Sequence, residues 1–221
     1  MTVVVLLGAP GAGKGTQAVV LASRLGVPHV ATGDLFRAAV REDTPLGREA
    51  AGFMSRGELV PDAMTIQMLL DRLRQPDAEP GVILDGFPRN RLQAEALDVA
   101  LGERGRQVDR AIVIDVPPED LVRRIAGRWI CRTAGHVYNE VNRPPKTPGI
   151  CDVDGSPLYQ RDDDRVETVR ARLSQQLGAL GEVVAYYRER GLLQSVDGRA
   201  SVAEITDALV AKVTGAPTGT A

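Results

Sequence analysis

The chain has 221 residues, 43% of them hydrophobic and 25% charged, the balance of a soluble globular protein with one large domain or a core carrying inserted subdomains. A net charge of −2 gives no general attraction to nucleic acid or to anionic membranes, and no apolar run is long enough to span a bilayer. Two cysteines without a disulfide framework, and an N-terminal "MTVVVLLGAP" that lacks the positive region of a signal peptide, lead us to expect the cytoplasm.

Residues 3–7, "VVVLL", form a continuous apolar run ending at Gly8, the pattern of a strand buried on both faces of a parallel sheet. A helix is predicted over 14–25, with Gly26 as its stop. Further strands are predicted at 28–32, 81–86, 110–116 and 192–197, and further helices at 34–41, 62–74, 91–101, 118–127, 166–190 and 201–213. Strands alternating with helices define an α/β chain with five parallel strands covered on both faces. The closing "TGAPTGTA" has no core-forming pattern and is expected to be loose. Two segments interrupt the alternation. Residues 31–60 read as polar and helical, and 128–164 are rich in Gly, Pro, Asp and Arg without helical periodicity. A stretch that long without its own structure points to a lid or a small module.

The stretch "GAPGAGKGT", residues 8–16, lies between the first strand and the first helix. Its glycines let successive amide groups converge on phosphate oxygens, and the helix N-terminus adds a favourable dipole. Only Lys14, Lys146 and Lys212 among 27 basic residues are lysines, so a compact ammonium in the glycine run stands out against the arginine bias. Gly15 occupies the place where this motif usually has a Mg²⁺-ligating Ser or Thr. Either waters and acidic groups hold Mg²⁺, or Thr16 reaches in; both argue against a GTPase-like site.

Other motifs follow: "TGDLFR" (32–37), "RGELVPD" (56–62), "LDGFPRN" (84–90), "GRW" (127–129), "YQRDDDR" (159–165) and "VRARL" (169–173). In this order they resemble the signatures of the adenylate kinases, from residue 1 to about 213. "DGFPR" with "TGD" is specific to nucleoside monophosphate kinases, and the long 128–164 insert is similar to the large-lid bacterial type. The resemblance implies a P-loop kinase core (1–30, 61–127 and 165–221), a helical AMP-binding arm (31–60) and a small β-rich lid (128–164). It implies an Mg²⁺-dependent, monomeric, cytoplasmic enzyme converting ATP and AMP into two ADP, with no nucleic acid or membrane partner. A kinase for CMP, UMP or GMP, or a catalytically silent nucleotide-binding protein, are the alternatives.

By the same resemblance, Gly11, Ala12, Gly13, Lys14, Gly15, Thr16, Arg124, Arg128, Val137, Tyr138 and Arg199 hold ATP. Thr32, Gly33, Arg37, Glu58, Leu59, Val60, Gly86, Phe87, Arg89, Gln93, Arg161 and Arg172 hold AMP. Arg89, Arg124, Arg128, Arg161 and Arg172 surround the transferring group with Lys14. Asp163 and Asp164 tie the closed lid, and Asp85, with Asp34 nearby, orients the waters of Mg²⁺. The spacings also allow plainer roles. Arg37 and Asp34 could form a helix-surface ion pair, and Asp85 could cap the turn that follows it. Arg89 could be a solvated surface arginine. Arg124 and Arg128, four apart, would share one helix face, and Asp162 to Asp164 could be a solvated charge run. "TGD" itself reads as a helix N-cap aimed at an anion.

Large-lid relatives often carry a structural zinc on the spacing C-x2-C-x16-C-x2-[CD]. Cys131, Cys151 and Asp154 occupy three of these positions, Ala134 the other, and His136 lies two residues beyond it. A zinc lid, a metal-free lid held by hydrogen bonds and packing, and a pair of free thiols are the three possibilities.

Overall fold

A computed structural model describes residues 2–140, 143–161, 164 and 166–215. Its central sheet has the strands β1 (Thr2–Leu7), β2 (His29–Ala31), β3 (Gly81–Asp85), β4 (Arg110–Asp115) and β8 (Leu193–Asp197) in the order β2-β3-β1-β4-β8. All four pairings are parallel. The continuous apolar run 3–7 is explained by alternation across this sheet. Val3, Val5 and Leu7 enter one core cluster, Val4 and Leu6 the other. Helices α1 (Lys14–Leu25), α6 (Pro118–Ala126) and α8 (Val202–Thr214) pack on the second face through Leu21, Ile125 and Leu209. Helices α4 (Asp62–Leu73) and α5 (Arg91–Gly102) pack on the first through Leu69 and Leu97. The long α7 (Val166–Glu189) joins both clusters, with Val169 and Leu173 in one and Tyr186 and Tyr187 in the other.

The chain leaves β1 for one edge of the sheet and leaves neighbouring β3 for the other, and their following helices lie on opposite faces. That divergence opens a crevice at the strands' C-terminal ends, where open α/β sheets bind ligands.

The two irregular segments have structure of their own. Residues 32–60 carry α2 (Thr32–Arg41) and α3 (Pro45–Ser55), which enclose Phe36, Ala50 and Val60 in a separate small cluster, with Met64 and Met68 of α4 against it. Thr44 caps α3, its hydroxyl accepting the Gly47 N–H at 3.0 Å. The segment after residue 127 holds a three-stranded antiparallel sheet of β5 (Arg128–Cys131), β6 (Val137–Asn139) and β7 (Leu158–Tyr159), in the order β6-β5-β7.

Two sequence expectations differ from the structure. Helix α2 starts at Thr32, with Ala31 as N-cap and no capping side chain. Thr32 is buried and its hydroxyl instead donates to the Gly86 carbonyl at 2.8 Å, tying α2 to the turn after β3. Arg124 and Arg128 do not share a helix face. Helix α6 ends at Ala126, Gly127 caps it, and Arg128 opens β5. The end of the chain, 216–221, lies outside the described residues, and Gly215 closes α8 in a left-handed conformation.

Candidate active site

The glycine loop between β1 and α1 is shaped by backbone torsions that side chains resist. Gly11 has φ +84° and Gly13, the N-cap of α1, has φ +94°. At Gly11 a Cβ would also stand 2.7 Å from Ile125. The Lys14 ammonium is drawn over the loop, donating to the Gly8 carbonyl at 2.8 Å and the Ala9 carbonyl at 3.1 Å. The loop residues Gly11, Ala12, Gly13, Gly15 and Thr16 line a cavity of about 1110 Å³ with Lys14.

Asp85 ends β3 on the same crevice, and a Cβ at Gly15 would lie 3.4 Å from its Oδ2. A larger side chain at position 15 would crowd this carboxylate. Burial pushes Asp85 up in pKa. His29, Lys14 and Arg89 outweigh that and hold it below the usual carboxylate range. The His29 Nε2 stands 3.5 Å from Asp85 Oδ2 and has no hydrogen-bond partner among the described residues. His29 was not singled out in the sequence; it precedes "TGD" by three residues, and only the β2–β3 pairing brings it to Asp85.

Arg89 is held in the turn after β3. Its Nε donates to the Gly86 carbonyl at 2.7 Å and its backbone N–H to Gln93 Oε1 at 2.8 Å. Gln93 is buried and donates from Nε2 to Asp62 Oδ1 at 2.7 Å, while Asn90 caps α5 by accepting the Gln93 N–H. Asp62 and Asn90, the last residues of the motifs at 56–62 and 84–90, therefore belong to the support of this turn. Phe87 is buried in the core cluster with Leu84 and Leu97.

A second, smaller pocket of about 60 Å³ is walled by Thr32, Gly33, Arg37, Glu58, Leu59 and Val60, together with Arg89 and Gln93. Arg37 donates to Asp34 Oδ1 at 2.6 Å, the ion pair its spacing permits, and Arg161 Nη2 lies 3.5 Å from the same oxygen. Asp34 is thus engaged by two arginines, and it lines the large cavity with Lys14 and Asp85. Glu58 forms a two-bond ion pair with Arg56.

On the opposite wall, Arg124 donates to the Gly198 carbonyl at 2.9 Å, and Arg199 pairs with Asp197. Arg128 Nε donates to Asp164 Oδ2 at 2.8 Å, and that carboxylate is 1% exposed. This bidentate pair joins the two ends of the 128–164 segment. Val137 and Tyr138 line the large cavity, yet the Tyr138 ring is buried in the small sheet's core and its hydroxyl accepts the Asp152 N–H at 2.7 Å. Asp163 and the Arg172 side chain lie outside the described residues.

The small sheet gathers four donors. Cys131, His136, Cys151 and Asp154 present ligand atoms within 4.8 Å of one another. His136 Nδ1 stands 3.3 Å from Cys151 Sγ and 3.7 Å from Asp154 Oδ2. Position 134 contributes its N–H, not a side chain, to Cys131 Sγ at 3.3 Å. Gly135, at φ +72°, turns the chain so that His136 comes back to the two thiols. Bonds from Ser156 and from both thiols hold the Asp154 carboxyl far below its ordinary range.

A glycine loop with a lysine, an ionised carboxylate on the adjoining strand end and a ring of arginines across two joined cavities define a P-loop nucleotide phosphotransferase. The adenylate kinase family model matches residues 6–192. An adenylate kinase of Streptomyces avermitilis is 50% identical over 92% of this chain and 93% of its own length. Adenylate kinases of Staphylococcus aureus Mu50 and Staphylococcus epidermidis are 46% and 45% identical, covering 92% and 94% of this chain and 94% and 96% of their own. The chain belongs to the adenylate kinase family and is a phosphotransferase enzyme.

The lowered Asp85 pKa has a consequence for stability. An unfolded aspartate titrates near pH 4, so the contribution of Asp85 is complete above about pH 4 and is lost as pH falls through its lower folded value. In urea unfolding across pH 2–7, Asp85→Asn is expected to be less stable than wild type near neutrality, with the difference shrinking in acid. A difference independent of pH would contradict the charged environment described for this carboxylate.

Proposed function

We propose that the chain transfers the terminal phosphoryl group of ATP to AMP, reversibly, giving two ADP and balancing the adenine nucleotides. The observation carrying this reading is that Arg89 lines both cavities, so this cation faces a donor on the Lys14 side and an acceptor on the Leu59–Val60 side. In this reading Gly11, Ala12, Gly13, Lys14, Gly15 and Thr16 cradle the ATP phosphates, with Arg124, Arg128, Val137, Tyr138 and Arg199 on the far wall. Thr32, Gly33, Arg37, Glu58, Leu59, Val60, Gly86 and Gln93 seat AMP, the backbone near 58–60 framing its base. Phe87 supports that turn from the core.

No general base is required. The acceptor is a phosphate oxygen already ionised near neutral pH, since the second phosphate pKa is about 6. Charge on the transferring group spreads over its equatorial oxygens, and Lys14, Arg89, Arg124, Arg128, Arg161 and Arg172 would stabilise it there. Asp85 would orient the waters of Mg²⁺, and the bare Gly15 leaves room beside it; the ion supplies charge neutralisation on the phosphates when bound. Asp34, on the same large cavity, would assist Asp85 in orienting those waters. Water is the competing nucleophile. We assign its exclusion to closure of a lid (128–164) and an AMP arm (31–60) on the core (1–30, 61–127 and 165–221), with Asp163 and Asp164 as the lid's ties. The separate small clusters of the two segments support that division. We further propose a monomer in the cytoplasm. The two cysteines are free, as a reducing compartment keeps them, and no described helix is long and apolar enough to cross a membrane.

The donor set in the lid fits zinc: two thiols, an imidazole and a low-pKa carboxylate converge, with His136 replacing the side chain that Ala134 lacks. Cys131, His136, Cys151 and Asp154 would hold the ion, which supplies a structural tie for the small sheet. Metal analysis of untagged protein purified without added zinc is expected to give about one zinc per chain, lost in Cys131→Ser. A stoichiometry near zero would leave the lid held by hydrogen bonds and packing alone.

A coupled assay over AMP, CMP, UMP and GMP tests the reaction. AMP is expected to be the preferred acceptor, and Arg89→Ala to lower kcat by on the order of a thousandfold with little change in fold stability. Activity only with a pyrimidine acceptor, inactivity with all four, or near-normal kcat in Arg89→Ala would overturn the assignment.

A further inference from the structure

Gln176 has no role in the mechanism above, yet it lines both cavities together with Arg89. It projects from α7 to the seam between them, and its side-chain amide reaches in two directions. Oε1 accepts from Arg89 Nη1 at 3.4 Å. Nε2 donates to the Gly57 carbonyl at 3.3 Å. Gly57 is the residue just before Glu58, Leu59 and Val60, the wall of the small pocket, and it sits at φ +73° after α3. One amide therefore touches a cation placed on the transferring group and the backbone that frames the acceptor's base. The two partners are 32 positions apart in sequence and belong to different elements.

The post carrying this amide is firm. Helix α7 is packed into both core clusters, through Leu173 three residues before Gln176 and through Val183 seven residues after it. The turn of Arg89 engages its Nε and its backbone N–H, and the bond to Gln176 is made farther out, at Nη1. A planar guanidinium is useful only when its fork meets the phosphate at the right angle. An amide with both ends engaged resists rotation, so it refers the fork and the pocket wall to the same helix.

We propose that Gln176 is a positioning residue that couples the seating of the acceptor nucleotide to the aim of Arg89. The inference rests on the reading of the small pocket as the acceptor site. Its bonds to Arg89 and to Gly57 have separable effects. The first orients the cation and bears on kcat; the second holds the pocket wall and bears on KM for AMP.

Steady-state kinetics of Gln176→Leu and Gln176→Glu, with AMP and ATP varied separately, test this. The leucine keeps the volume and removes both bonds. It is expected to raise KM for AMP and to lower kcat, together costing about tenfold or more in kcat/KM for AMP. KM for ATP should stay within about twofold and the thermal midpoint should not move. The glutamate retains an acceptor for Arg89 but cannot, when ionised, donate to the Gly57 carbonyl. It is expected to recover kcat while keeping the raised KM for AMP. The inference is overturned if the leucine variant shifts neither parameter, if it raises KM for ATP as much as that for AMP, if it loses thermal stability in step with activity, or if the glutamate variant matches the leucine variant. Any of these with an AMP-active wild type leaves the acceptor assignment standing; a wild type inactive with AMP removes both.

Discussion

Leu6 lies opposite Asp85 where β1 pairs with β3, and the site follows from that register. The glycine loop leaves the sheet from the end of one strand, and the turn carrying Asp85 and Arg89 leaves from the end of its neighbour. Because the two segments then diverge to opposite faces, a cavity opens between them, and charged groups meet there that the sequence keeps some 70 residues apart. Slipping this register by one residue would reverse the faces of β1 and move the carboxylate away from the loop. The buried valines and leucines of β1 therefore do more than fill the core: they fix the distance between Lys14 and Asp85.

The crevice concentrates cations, and a cluster of like charges needs something to hold it in the absence of a phosphate. Each described arginine of the site has a local acceptor. Arg37 leans on Asp34, Arg128 on the buried Asp164, Arg124 on the Gly198 carbonyl and Arg199 on Asp197. Lys14 rests on two carbonyls of its own loop. Such anchoring limits the rotamer freedom that long side chains would otherwise lose on binding. It also sorts the arginines: those tied to half-exposed carboxylates can exchange partners readily, whereas Arg128, tied to a nearly inaccessible one, belongs as much to the neck of the 128–164 segment as to any ligand.

Much of this was legible in the sequence, because local rules governed it. The strand before the glycines, the glycine run, the lone lysine within it and the helix stop at Gly26 each follow from chemistry over a few residues. What escaped depended on distant pairing or on a turn. His29 reaches Asp85 only through the β2–β3 ladder. Gln176 is one of two adjacent glutamines on a long helix, and nothing in its neighbours marks it. Arg124 and Arg128 looked like one helix face because a four-residue spacing is silent about where the helix stops, and Gly127 stops it between them. In the 128–164 segment, the cysteine spacing left position 134 without a donor side chain, whereas the turn at Gly135 brings His136 close to Cys131, Cys151 and Asp154. The residues of Asp163 and of the Arg172 side chain stay with the sequence reading alone.

The account stands or falls on the glycine loop and Lys14 being the seat of the donor's phosphates. Calorimetric titration of wild type and Lys14→Met with ATP in the presence of Mg²⁺, and separately with AMP, tests that most directly. The methionine keeps most of the side chain's length and removes its charge. ATP affinity is expected to fall on the order of a hundredfold, the cost of losing charge-assisted bonds to phosphate, with AMP affinity within about twofold of wild type. Unchanged ATP affinity, or an equal loss for both nucleotides, would contradict it.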